Sequence, residues 1–140
     1  MKEVLFITLN LLSNAVFAQQ NCESIVKECE ALLKKDSNID FVSDGQVYTV
    51  FLDREKAEFK TTFYGGTTYR LAASAGSDDE YVLYTIRDPE GQILFSNKRY
   101  KNAPFWDFKI HETLPVTIEA QLDPDMKNTG CVVMMIGFQK

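Results

Sequence analysis

The sequence predicts a mainly β fold: an antiparallel β-sandwich of about eight strands with one N-terminal helix packed on a sheet. Three observations predict it. From Gln46 onward apolar residues recur with period two in short runs, and turn-forming residues separate most of the runs. A 3.6-residue period is confined to one segment, from Cys22 to Lys35, ahead of those runs. The last run, Cys131 to Phe138, has almost no polar side chain on either face and therefore needs cover on both.

Residues Met1 to Ala18 read as a secretory signal peptide. Lys2 gives a minimal basic start, Val4 to Leu12 is apolar apart from Thr8 and Asn10, and Val16-Phe17-Ala18 offers a small residue at the cleavage position. The apolar run is far shorter than the ~20 residues a bilayer span requires. Cleavage after Ala18 would leave residues 19–140 as a single domain, starting at Gln19, in the periplasm or outside the cell. A lipid anchor on Cys22 is the variant reading. Gln19-Gln20-Asn21 stand before that cysteine, where a lipidation signal wants small and apolar residues, so soluble export is expected.

The formal charge is −5, and Lys2 and Glu3 cancel within the signal. Mild acidity disfavours nucleic acid and anionic membrane surfaces as partners.

Cys22, Ile25, Val26, Cys29, Leu32 and Leu33 fall on one helical face, opposite Glu23, Lys27, Glu28, Glu30, Lys34 and Lys35. Asn21 can cap the start, with Glu23 in the first turn and lysines in the last, matching the helix dipole. Asp36-Ser37-Asn38 ends the segment. One such helix is unstable alone in water, so its stripe must lie on a sheet.

The predicted strands are 47–53, 58–64, 67–74, 81–88, 92–97, 105–110, 116–122 and 131–138. Asp44-Gly45 and Ala75-Gly76-Ser77-Asp78-Asp79 read as turns, and Asp123-Pro124-Asp125 as another. Gly65-Gly66 suits a two-residue hairpin, and Asp88-Pro89-Glu90-Gly91 a type I turn. Val116, Ile118, Ala120 and Leu122 alternate with polar residues, which marks a strand with one wet face. Only the helix stripe remains to cover the outer face of the final strand.

Export places three cysteines in an oxidising compartment. Cys22 and Cys29 cannot pair within a helix, since seven residues separate their Cα atoms by about 10 Å against a limit near ~7 Å. Cys131 is then one partner. Cys29 points at the centre of the stripe, so Cys29–Cys131 is the expected disulfide, with Cys22–Cys131 as the alternative. Three reduced, buried thiols would be the bland outcome.

Phe63-Tyr64-Gly65-Gly66-Thr67-Thr68-Tyr69-Arg70, Leu83 to Asp88 with Gly91, and Gly130-Cys131-Val132-Val133 give the chain a likeness. It resembles the pre-peptidase C-terminal domains of secreted bacterial proteins. It is similar also to small, uncharacterised exported bacterial proteins that pair a cysteine-bearing helix with Asp44-Gly45-Gln46, Trp106-Asp107-Phe108 and Gly137-Phe138. The resemblance implies a jelly-roll-like sandwich with an accessory or binding role, and it brings no catalytic residues or ligand set.

Catalytic motifs are missing. His111 is the only histidine, and Pro115 stands where a His-Glu-x-x-His helix needs its second. There is no Gly-x-Ser-x-Gly elbow. Asp78, Asp79, Glu80, Asp123 and Asp125 could supply an acid–base pair but read as solvated turns. Asp123 to Asn128 begins like a calcium loop and then departs from it, with Lys127 at the fifth position, Asn128 at the sixth and Met134 at the twelfth. No metal or cofactor is expected. Trp106, Phe108 and Ile110 share a strand face and read as core, leaving Tyr100 and Phe105 as the candidate binding surface. The expected function is a non-enzymatic exported module binding a protein or glycan. The rivals are a hydrolase with an unrecognised carboxylate site and a structural subunit of an exported assembly, which a long unpaired edge strand would favour.

Overall fold

The computed structural model describes residues 22–76 and 80–139. The signal segment Met1–Ala18, the helix cap Asn21 and the turn carboxylates Asp78 and Asp79 lie outside the described residues.

The chain is mainly β. A helix, α1 (residues 22–34), precedes β1 (Phe41–Asp53), β2 (Ala57–Phe63), β3 (Thr67–Ser74) and β4 (Val82–Arg87). Then come β5 (Ile93–Ser96), a 3-10 helix (Asn97–Tyr100), β6 (Phe105–Ile110), β7 (Leu114–Leu122) and β8 (Thr129–Gln139). Two four-stranded antiparallel sheets have the orders β1-β8-β3-β6 and β2-β7-β4-β5. That order is the jelly roll, two Greek keys folded face to face. Alternation fills the space between the sheets: Leu71, Tyr84, Ile118, Val132, Met134 and Ile136 are all buried there.

A second, smaller core lies outside the first. Ile25, Cys29 and Leu33 of α1 pack on Ala72, Cys131, Val133 and Met135, the outward residues of β3 and β8. This is the cover that the apolar final strand requires. Ile25 and Leu33 contribute roughly 1.5–3 kcal/mol each, as upper bounds for full burial.

The disulfide is Cys22–Cys131, with Cα atoms 5.5 Å apart, and Cys29 is a buried free thiol. The expected Cys29–Cys131 bond is thereby corrected. The reason is the course of α1, which runs along β8 in the strand's own direction. Cys22 sits over Cys131, Cys29 Sγ lies 3.6 Å from the Val133 carbonyl, and Leu33 meets Gly137. Seven helical residues advance about 10 Å, some three strand residues, so Cys29 lies beyond reach of Cys131.

Two turn assignments are also corrected. Gly65-Gly66 does not close a hairpin, because β2 and β3 belong to different sheets. The pair carries the chain across the sandwich, and Gly65 is pressed against the β6–β7 turn. A Cβ there would lie 2.7 Å from the His111 carbonyl oxygen. Asp44-Gly45 is a bulge inside β1, where the register against β8 shifts between Ser43 and Val47. Asp88 to Gly91 turns as expected, with Gly91 N donating to Asp88 O at 3.0 Å between β4 and β5.

Candidate functional site

The segment 97–104 bridges the two sheets where β5 and β6 form neighbouring edges. Its anchor is Asn97, wholly buried. The Asn97 side chain accepts from Tyr84 N at 2.9 Å and donates to Val82 O at 2.8 Å and Ala103 O at 3.1 Å. Tyr84 Oη donates to the same Ala103 carbonyl, also at 2.9 Å. Asn102 donates to Glu80 O and to Asp123 Oδ2. With its ends fixed in this way, the chain passes through two successive left-handed non-glycine residues, Lys101 (φ 55°) and Asn102 (φ 56°).

Tyr100 is the residue so presented. Its ring packs on Trp106 at 4.3 Å and lies parallel to Phe95 at 5.5 Å, and Phe95 meets Phe108 edge-on. The stack closes the open side of the sandwich and leaves Tyr100 47 % exposed. An open depression of about 630 Å³ beside it is lined by Tyr100, Lys101, Phe105, Trp106 and Asp107. A deeper one of about 760 Å³ runs between α1 (Glu28, Leu32, Lys35) and Ala73, Tyr81 and Val82. Glu80 and Pro104 line both, so the two depressions adjoin.

Tyr100 and Phe105 therefore reach the same depression from opposite sides of β6. Phe105 faces outward with Asp107, beneath the helix side, and is half-buried with the Arg70 guanidinium 4.2 Å from its ring centroid. Arg70 is not among the site residues expected from the sequence, although an arginine amid the apolar residues of Thr67–Ser74 is a signal for it. Only 1 % exposed, it pairs with Asp107 and donates to the Leu32 and Lys35 carbonyls at the end of α1.

His111 is exposed in the β6–β7 turn, far along the strand from these depressions. Asp123 is held as a turn residue, accepting from Asp125 N and from Asn102. Among the described residues no group of three His, Cys, Asp or Glu side chains is placed to hold a metal ion. Burial pushes the Cys29 thiol up to about 12, and burial followed by the charge of Asp107 raises Tyr84. Both groups donate to backbone carbonyls inside the protein. At the far edge, burial raises Asp44 against the opposing pull of Gln46 N, and raises Tyr48 with help from Asp44. Among the described residues no helix is long and apolar enough to cross a membrane.

No family model matches the chain. No curated protein matches it either. Among solved structures it is similar to PliG of Aeromonas hydrophila, a periplasmic inhibitor of g-type lysozyme. The two are 9 % identical, with a TM-score of 0.49 over 73 % of this chain and 89 % of that one. Likeness at that level says nothing about a shared partner.

Proposed function

We propose that this chain is a non-enzymatic, exported β-sandwich module that binds a protein partner through the surface around Tyr100. The segment 97–104 carries the reading: a half-exposed aromatic stands on backbone that is both rigidly bonded and strained. Left-handed non-glycine residues cost about 1–3 kcal/mol each and persist where the surroundings over-determine them, often at binding sites. A tyrosine already held by Phe95 and Trp106 loses little freedom on docking. The adjoining depression mixes apolar walls with Glu80, Lys101 and Asp107, a lining that suits protein side chains.

The signal pattern of residues 1–18 and the Cys22–Cys131 disulfide support export. Because the Cys22 sulfur is bonded to Cys131, soluble export is favoured over a lipid on that sulfur. The resemblance to pre-peptidase C-terminal domains supports an accessory role. The strongly displaced thiol and phenol are bonded into the packing, which supports a binding role over catalysis.

The experiment is capture from the native envelope by the immobilised exported protein, followed by titration with the purified partner. Tyr100→Ala should weaken that binding by at least about tenfold, as loss of a tyrosine hot spot does, with the thermal midpoint within a few degrees. Unchanged affinity would rule out this surface. Retention of a glycan and of no protein would rule out the protein partner.

A further inference from the structure

β1 is the longest strand and lies at the edge of its sheet, hydrogen-bonded to β8 on one side only among the described residues. Its segment Val47–Asp53 pairs regularly with β8, whereas the bulge at Asp44-Gly45 interrupts the strand just before it. Regular, exposed edges are templates for a further strand, and bulges are one device that limits them. α1 lies over β8 and β3, and among the described residues it leaves the outer face of β1 exposed between Val47 and Phe51. Val47 and Phe51 stand there 45 % and 55 % exposed, with exposed Thr49 between them.

We propose that this edge joins two copies of the chain in a two-fold dimer, with β1 antiparallel to β1 of the second copy and the axis at Thr49. The pattern of the strand is self-complementary about that residue. The axis places Val47 opposite Phe51 of the other copy, twice, and Thr49 opposite Thr49, all on the outer face. On the inner face Tyr48 meets Val50. Beyond the regular segment, the exposed Arg54 of one copy runs toward the bulge of the other, which carries the exposed Asp44. A shift by one residue would put Phe51 opposite Gln46 or Tyr48, on the wrong face. The second copy thus buries the two most exposed apolar side chains of β1 and satisfies its free backbone groups. The pairing spans about 20 Å, a small interface, so the dimer forms with rising concentration. It uses none of the Tyr100 surface.

Sedimentation equilibrium of the exported protein tests the proposal. A monomer–dimer equilibrium should appear below about 1 mM. Val47→Lys with Phe51→Lys should raise its dissociation constant at least about tenfold at unchanged thermal midpoint, since both side chains are exposed. Asp44→Arg and Arg54→Asp should each weaken the dimer about threefold, and their combination should restore it. A protein monomeric throughout that range overturns the proposal, as does a dimer indifferent to the lysine pair. A charge swap that fails to restore association refutes the axis at Thr49. Tyr100→Ala should leave the dimer intact, which separates this test from that of partner binding.

Discussion

The guanidinium of Arg70 donates to both carboxylate oxygens of Asp107, from Nε at 2.6 Å and from Nη2 at 3.0 Å. The pair joins β3 to β6 on the outer face, where Arg70 stands opposite Asp107 in the register. Nη1 is left for the Leu32 and Lys35 carbonyls at the end of α1, where Leu32 O otherwise accepts only a long bond from Lys35 N at 3.4 Å. The rings of Phe41 and Phe105 lie against the guanidinium, at 4.8 Å and 4.2 Å. One buried cation thus ties the helix terminus, two strands and two aromatics together, with its charge at the negative end of the helix dipole.

Replacing Arg70 by Lys should destabilise the fold by about 2–3 kcal/mol, because a point charge cannot serve the carboxylate and the carbonyls together. Asp107→Asn should cost less, since Asp107 is partly exposed and the carbonyl bonds of Arg70 survive. Urea denaturation gives both values. Amide exchange should show the last turn of α1 opening first in the Lys variant.

The cysteine pairing has its own test. Non-reducing peptide mapping should give a Cys22–Cys131 peptide and an unmodified Cys29. The bond closes a separation of 109 residues. Breaking it with Cys22→Ser should cost about 3–5 kcal/mol, less any strain the bond carries. A Cys29–Cys131 peptide would instead require α1 to slide along β8.

Most of the architecture was legible because it rests on periodicity. All eight strands fall close to runs that alternate in the sequence, and the stripe of α1 lies where the apolar β8 demanded cover. What remained hidden depended on pairing in space. Gly65-Gly66 has the composition of a hairpin, and only the approach of the His111 carbonyl shows that the chain crosses between sheets there. Cys29 is central to the stripe, yet the offset of helix against strand chose Cys22. Tyr100 was legible as an exposed aromatic, whereas Phe105 was not separable from it without the register that sets it against Ala72. Arg70 and Asn97 are buried polar anchors whose partners lie far off in sequence; a lone charge amid apolar residues marks Arg70, and no local pattern marks Asn97.

Alkaline stability should report the buried thiol. Cys29 is raised from 9.0 in its ordinary state to about 12 in the fold, chiefly by burial. Below pH 9 the thiol is neutral in both states and its contribution is fully present. Between 9 and 12 only the unfolded chain ionises, so stability should fall as pH rises, by up to about 1.4 kcal/mol per unit. Tyr84 adds to the decline at the upper end. Cys29→Ala should lose part of this slope, at the cost of a small cavity. Unfolding curves between pH 8 and 11 compare the two, and an identical slope would show that the thiol is not shielded.

The last prediction separates the anchor of segment 97–104 from its strain. Asn97→Ala leaves Tyr84 N, Val82 O and one acceptor position of Ala103 O without their side-chain partner inside the protein. Buried groups left in this way cost about 1–3 kcal/mol each when water cannot replace the partner, so a loss of at least 2 kcal/mol is expected. Asn97→Asp should cost a similar amount, because it keeps the acceptor for Tyr84 N but sets a carboxylate against two carbonyls. Lys101→Gly acts in the opposite sense. Its φ of 55° follows the 3-10 helix, where glycine carries no Cβ penalty, so the variant should hold or raise stability by up to about 1 kcal/mol. The gain would come with a looser presentation of Tyr100, and affinity for the partner should fall although no contact has been removed. Thermal unfolding and partner titration on the same sample read the two effects. A Lys101→Gly protein that is more stable and binds equally well would show that the strained backbone plays no part in docking.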